Sequence, residues 1–362
     1  MRLRQRPLWT PLSRKTFLAA LAAALALAAF GCGRANENAT AAPTSGGKAA
    51  SVGTGSGGNF RVALVMSGPT SDNGWNAGAY NALLAVRKEL NLSEQDSPSV
   101  DSQSTPEKRD ESLRAFASKG FNIVYGHGNE YEEPALKMES EFPQTLFVIS
   151  SGRKVGHNTT PIIIELEDGA YLEGMLAASM SKANKLGLVG AQEIPPVQSV
   201  FQAFEAGAKA VKPTIQVLKP LYTGSWDDVG KAKQATLAII DQGADVIMQD
   251  VDAAAQGVFN AVQERKDRGV WALGTNSDQN KAAPDVILAS APIYYDKAFI
   301  SIAKEVKAGT FQPNNRPFGM KEGVVGFVLN PALADKIPAD LKARLEETQK
   351  KITEGLLAVP KG

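Results

Sequence analysis

Short β-branched apolar runs alternate with amphipathic helical stretches along most of this 362-residue chain, and the alternation restarts near its middle. That pattern leaves few folds open, because repeated strand–helix units build a parallel sheet covered by helices on both faces. The first series places strands over 60–66, 99–102, 121–125, 146–150 and 162–166, with helices over 76–89, 106–119 and 133–141. On the 76–89 stretch, Tyr80, Leu83, Leu84 and Val86 form one apolar face at helical spacing. A long helix ending at Ser181 follows, with Asp168 placed to accept the free N–H groups of its first turn. The second series places strands over 185–189, 215–222, 246–249, 270–273 and 286–289, with helices over 197–211, 228–242, 254–268 and 294–308. Extended segments over 319–329 and a helix over 341–355 close the chain. Roughly ten strands are many for one open sheet, so two doubly wound α/β domains are the more economical reading.

Hydrophobic residues make up 43% of the chain and charged residues 21%, which is the balance of a globular protein with a core. The formal net charge of +1 provides no field for nucleic acid or an anionic membrane surface. A single cysteine excludes an internal disulfide, so the core must supply the stability.

The N-terminus has a different character. Arg2, Arg4, Arg6, Arg14 and Lys15 precede an apolar run over 17–30, too short to span a bilayer comfortably and of signal-peptide length. Ala29-Phe30-Gly31-Cys32 then resembles a bacterial lipobox, in which the cysteine is diacylated and becomes the new N-terminus. It departs from the usual box, which has Leu where Ala29 stands and a small residue where Phe30 stands. The alternative is a free cysteine, and a plain cleaved signal peptide would leave Cys32 without a role. A lipoprotein leader is therefore expected over 1–32. Residues 33–59 are mostly Ala, Gly, Ser, Thr and Asn, too poor in apolar surface to fold, and are expected to be a flexible tether. Gly53, Gly55 and Gly58 spell G-x-G-x-x-G there, but a dinucleotide loop must follow a strand, and this one precedes the first.

In open parallel sheets ligands bind beyond the carboxyl ends of the strands. The segments at those places are Ser67-Gly68-Pro69-Thr70-Ser71-Asp72-Asn73-Gly74-Trp75-Asn76, then Gly126-His127-Gly128-Asn129-Glu130-Tyr131, Gly224-Ser225-Trp226-Asp227-Asp228, Asp250-Val251-Asp252 and Gly274-Thr275-Asn276-Ser277-Asp278-Gln279. Each taken alone reads as turn and cap chemistry. Together they repeat aromatic faces beside amides and carboxylates, which suit a planar polar ligand, neutral or weakly cationic. Asp250 and Asp252 fall short of the six to eight oxygens of a Ca²⁺ site, so solvated or ligand-facing acids fit them better. With two histidines and no H-E-x-x-H, G-x-S-x-G or P-loop, the chain carries no catalytic constellation, and no cofactor or metal is expected.

From about residue 59 to 359 the chain resembles the basic membrane protein (BMP) family of ABC-transporter substrate-binding lipoproteins, whose characterised members include purine-nucleoside receptors. Gly74-Trp75-Asn76 occupies the place of that family's Gly-x-Phe-Asn motif, with Trp75 in place of its Phe, and Asp168-Gly169-Ala170-Tyr171-Leu172-Glu173-Gly174 resembles its long-helix signature. Ser225-Trp226-Asp227-Asp228, with the 240–247 segment, looks most like a branch that binds adenine or related purines. Gly274 to Gln279 resembles Gly-x-Asp-x-Asp-Gln.

The resemblance implies a periplasmic binding protein type I fold, with two doubly wound parallel-sheet lobes joined by three crossovers and closing on the ligand. The expected N-lobe is 60–166 plus 281–322, and the expected C-lobe is 167–280 plus 323–362. It further implies that Trp75 stacks on the base, that Asn76 hydrogen-bonds the ligand, and that Asp278 stands as the motif's second acid. Trp226 is expected to supply a second aromatic wall, while the expectations for Ser71, Asn129, Asp250 and Asp252 rest on loop position. Two departures bear on the ligand: Asn276 replaces the motif's first acid, and Ile293 stands where nucleoside binders carry a Lys in Ser-x-x-Lys. Where that Lys holds ribose, its absence favours a free base or another small solute.

The implied partners are a purine nucleoside or nucleobase, an ABC permease with its ATPase, and the membrane through the lipid anchor. The protein is expected to be a monomer on the extracytoplasmic side of the envelope. A sensor or surface receptor of the same fold, for another solute and without transport, is the alternative.

Overall fold

The computed structural model describes residues 58–72 and 74–361. The leader, Cys32 and nearly all of the expected tether lie outside the described residues.

The first series folds as β1 (Val62–Met66), α1 (Trp75–Glu89), β2 (Ser99–Val100), α2 (Pro106–Ser118), β3 (Ile123–His127), α3 (Glu132–Met138), β4 (Leu146–Ser150) and β5 (Thr159–Ile164). The second folds as α4 (Glu167–Met180), β6 (Lys185–Gly190), α5 (Pro195–Val211), β7 (Gln216–Val217), β8 (Leu221–Tyr222), α6 (Val229–Asp241), β9 (Val246–Asp250), α7 (Ala255–Glu264), β10 (Trp271–Asn276) and β11 (Ile287–Pro292). The chain ends with α8 (Tyr295–Lys307), β12 (Pro317–Phe318), β13 (Val328–Leu329) and α9 (Ala339–Thr353).

Two sheets result, ordered β12-β5-β4-β3-β1-β2 and β13-β11-β10-β9-β6-β7, with β8 also on β6. Their pairings are parallel except for the antiparallel edge strand β13 on β11. Strands β1, β3, β4, β9 and β11 are buried along their whole length, as a sheet with helices on both faces requires. The expected 215–222 strand divides into β7 and β8. Pro220 offers no N–H to the ladder, and the two pieces pair with different stretches of β6.

The segment expected in the first lobe over 281–322 is split. Ile287–Pro292 is β11 and pairs with β10 in the second sheet, so the chain returns only at Ile293 and Tyr294. From there α8 joins the first lobe: Tyr125 Oη donates to the Phe299 carbonyl at 2.9 Å, and the two rings stack at 4.1 Å. An apolar run carries no mark of its sheet, because parallel pairing is non-local.

Three crossovers lie side by side. Ile293 bridges Val325, Tyr294 N–H donates to the Val324 carbonyl, and Gly326 N–H donates to the Pro292 carbonyl. The first crossover is tied to the third by Asp168, whose Oδ2 accepts from Met320 N–H at 2.9 Å. Asp168 therefore clamps the hinge instead of capping its own helix, which begins one residue earlier at Glu167. Burial is the main cause raising its pKa to about 6.

Helices α4 and α5 pack at backbone distance. A Cβ on Gly174 would lie 1.9 Å from the Phe204 carbonyl oxygen, and one on Gly207 would lie 1.9 Å from that of Tyr171. Both obstacles are backbone atoms, so relief requires moving a helix. Gly207→Ala is expected to lower stability by about 1–3 kcal/mol, read as a lower urea midpoint at unchanged slope. An unchanged midpoint would contradict this packing.

Candidate ligand-binding site

The carboxyl ends of β1, β3, β9 and β10 meet where the two lobes face each other. Asp72 organises the first-lobe side. One oxygen accepts from Gly74 N–H (3.0 Å) and Ala77 N–H (2.9 Å), and the other from Asn76 N–H and Asn76 Nδ2, each at 2.7 Å. The carboxylate thus satisfies free donors at the start of α1, where negative charge is favoured. Asn76 Oδ1 accepts from Gly68 N–H at 3.3 Å, so much of its amide is committed to shaping this loop. One N–H and one lone pair remain for a ligand.

The Trp75 indole stacks on His127 at 4.4 Å, and Tyr295 meets it edge-on at 5.5 Å. His127 is the buried last residue of β3, and not part of the following loop. Its Nε2 lies 3.0 Å from the Trp75 carbonyl and its Nδ1 lies 2.9 Å from Ser150 Oγ. A carbonyl only accepts, which assigns the proton to Nε2 and leaves Nδ1 accepting from the hydroxyl. Desolvation holds its pKa down at about 3, so the ring is neutral.

Acids face this aromatic group from the second lobe. Asp252 Oδ1 accepts from Trp75 N–H at 2.9 Å, a direct bond between lobes. Gly74 makes the approach possible, since a Cβ there would sit 2.2 Å from the same oxygen. Burial first, and then the nearby Asp72 charge, raise Asp252 to about 7. Asp250, which ends β9, accepts from Asn276 Nδ2 at 3.3 Å, and burial raises it to about 6. Asp252 (φ 49°) and Asn276 (φ 64°) both hold left-handed backbone, a cost that site residues commonly bear. Gln249 and Gln279 brace these ends: Gln249 Nε2 donates to Thr275 Oγ1 (3.1 Å) and to Gln279 Oε1 (2.9 Å).

Two groups in this region lack partners. The Tyr295 hydroxyl is buried with no hydrogen bond, and its pKa is driven well up by burial and by the charges of Asp252, Asp250 and Asp72. Glu173 on α4 is fully buried with neither carboxyl oxygen bonded, and burial followed by the Asp250 charge drives its pKa well up.

Of the residues singled out in the sequence, Trp75, Asn76, Asp250 and Asp252 come together here. Trp226 is half-buried against the apolar core, and its carbonyl accepts from Ala254 N–H, so it backs the turn that carries Asp252. Ser71, Asn129 and Asp278 are exposed, unlike Asn76 and Asp250. Asp278 Oδ1 accepts from Asn280 N–H and serves its own turn. Sequence reasoning passed over Asp72, His127, Glu173, Asn276 and Tyr295 as site members. A lone Glu within the apolar run Ala170 to Ala178 was a usable signal for one of them. Among the described residues no group of three or more His, Cys, Asp or Glu is placed to hold a metal ion.

The protonation of the acids gives a pH dependence. Asp252 binds its proton more tightly folded than unfolded, so its contribution is full below the unfolded pKa near 4 and is lost as pH rises through about 7. His127, depressed when folded, acts oppositely below about pH 6.5, so the comparison must be with a variant. From pH 5.5 to 8 the stability of ligand-free Asp252→Asn is expected to gain about 1 kcal/mol on the parent, a figure reduced for the partial exposure of Asp252. Urea unfolding at several pH values measures the gap, and a constant gap would contradict the shift.

Paired α/β lobes, three crossovers and a polar–aromatic cluster between the lobes define a solute-binding protein of the periplasmic-binding-protein type. A family model described as "ABC transporter substrate-binding protein PnrA-like" matches residues 60–361, and the chain belongs to that family. A purine-binding protein of Brucella abortus is 32% identical over 301 residues, covering 82% of each chain. The transcriptional activator protein med of Bacillus subtilis is 28% identical, covering 81% of this chain and 90% of its own. Among solved structures, an ABC transporter solute-binding protein from Conexibacter woesei superposes with a TM-score of 0.67 at 26% identity, covering 84% of this chain and 99% of that one. Substrate-binding proteins of ABC importers work outside the cytoplasm. No helix among the described residues is long and apolar enough to cross a membrane.

Proposed function

We propose that this chain captures a purine, preferentially as the free base, between its lobes and delivers it to an ABC permease. The carrying observation is that Asp252 of the second lobe bonds the Trp75 backbone across the lobe junction, beside the Trp75–His127 stack, with Asp250 two residues away. A purine offers a flat face for the indole and N–H groups for the carboxyls. In this reading Trp75 stacks on the base, Asp250, Asp252 and the remaining N–H of Asn76 bond its edge, and Trp226 supports the Asp252 turn. The exposed Ser71, Asn129 and Asp278 contribute at the rim of the cleft. Cys32 is proposed as the lipid attachment that holds a monomeric receptor near its permease.

Preference for the free base rests on Ile293. It is buried in the second crossover and bonded by its backbone, so this position offers ribose no cation. The purine-binding name of the Brucella relative supports the ligand class. Thermal shift against nucleobases, nucleosides, sugars and amino acids tests the reading. Adenine or hypoxanthine at a hundredfold excess over Kd is expected to add about 2.7 kcal/mol of stability. A shift with a sugar and none with any purine would overturn it.

The relative named a transcriptional activator favours a second reading, a ligand sensor without transport. Co-purification of a permease and ATPase with the membrane-bound protein would decide for import.

A further inference from the structure

Both hydrogen bonds of Trp75 are made by its backbone, so packing alone orients its indole. The residue is half-buried, and two rings set its angle. His127 lies against one face, with the planes 29° apart. A stacked partner limits tilt but lets a ring slide across its face. Tyr295 blocks that slide. Its ring meets Trp75 edge-on, with the planes at 85° and the centroids 5.5 Å apart, and meets His127 in the same way at 84° and 5.1 Å.

Tyr295 is itself firmly held. It opens α8 directly after the second crossover, where Tyr294 N–H donates to the Val324 carbonyl. It is 2% exposed, and its ring lies 6.3 Å from that of Phe299, which stacks in turn on Tyr125 of β3. Gly78 of α1 leaves room for it, since a Cβ there would fall 3.0 Å from Tyr295 Cδ2. The Tyr295 hydroxyl has no hydrogen-bond partner, so these contacts belong to the ring and not to the oxygen.

We propose that Tyr295 is a positioning residue, a buried buttress that works with His127 to fix the Trp75 indole in the orientation from which it stacks on the ligand. This deepens the reading above and rests on it. A ring held in place beforehand gives up less freedom on binding, so the buttress contributes to affinity without touching the ligand.

The test is a double-mutant cycle on the full chain, read by calorimetric titration with adenine. Tyr295→Leu is expected to weaken binding by about threefold to tenfold, the span of an aromatic pair. Tyr295→Phe, which keeps the ring, is expected to restore the parent's affinity. In a Trp75→Ala background Tyr295→Leu is expected to cost nothing further, because the ring it positions is gone. An equal loss in both backgrounds, or no loss in either, would overturn the inference and leave the purine reading intact. Nuclear magnetic relaxation of the ligand-free protein reads the indole N–H of Trp75 directly, its signal assigned by its absence in Trp75→Phe. The order parameter is expected to be about 0.8 or higher in the parent and in Tyr295→Phe, and to fall below about 0.6 in Tyr295→Leu. An order parameter unchanged in Tyr295→Leu would overturn the inference. If Tyr295→Leu does not fold, Gly78→Ala, whose methyl presses on the same ring, takes its place in both measurements with the same expectations. Failure of the parent to bind adenine, with the order parameters as expected, would overturn the purine reading and keep Tyr295 as the buttress of Trp75.

Discussion

Trp75→Ala is expected to weaken purine binding by about tenfold to a hundredfold while the protein remains folded. The range follows from base–aromatic stacking, worth about 1–3 kcal/mol when the ring is truncated. The substitution is informative because both hydrogen bonds of this residue are made by its backbone: the N–H reaches Asp252 and the carbonyl accepts from His127. Truncation keeps those two bonds and deletes the indole with its contacts to His127 and Tyr295. Trp75→Phe should stay within about threefold of the parent, since a smaller ring still offers a face. Affinity measured by titration calorimetry decides the matter, and unchanged binding in Trp75→Ala would remove the stacking role.

Gly74→Val acts on closure instead of contact. Its Cβ position falls 2.2 Å from Asp252 Oδ1, where the two lobes touch. The short Asp252 side chain escapes only by giving up its bond to Trp75 N–H, the direct tie between lobes at the site. Hydrogen bonds to charged groups contribute about 1.5–3 kcal/mol, so ligand affinity is expected to fall at least tenfold. Each lobe keeps its own core, so the ligand-free melting temperature should change little. Small-angle scattering with saturating ligand should show a larger radius of gyration than the parent. Equal compaction in both would contradict the assigned role of Gly74.

Much of the architecture is legible in the sequence because its signals are local. The buried runs of β1, β3, β4 and β9 and the helical faces between them carry their own periodicity. The place of Ile287–Pro292 in the second sheet is not legible, because no residue within that strand specifies β10 as its neighbour. The site divides in the same way. Trp75, Asn76, Asp250 and Asp252 follow from the rule that ligands gather at strand ends. Asp278 obeys the same rule and is nevertheless exposed, because the turn after β10 is braced from inside by Gln279 and not by the acid. Tyr295 opens a helix in an unremarkable context, and its significance lies in ring contacts with Trp75 and His127 that only tertiary packing creates. Glu173 is similar: pattern places it on a buried helix, and its lack of partners belongs to tertiary structure.

The central claim is that a purine base lies in the cleft between Trp75 and the second-lobe acids. A crystal structure of the protein grown with adenine tests it most directly. The account predicts density for the base against the Trp75 indole, with ring or amino nitrogens within hydrogen-bonding distance of Asp250 or Asp252. Adenine bound elsewhere, or a cleft closed on a different solute retained from the cell in place of the added adenine, would contradict it.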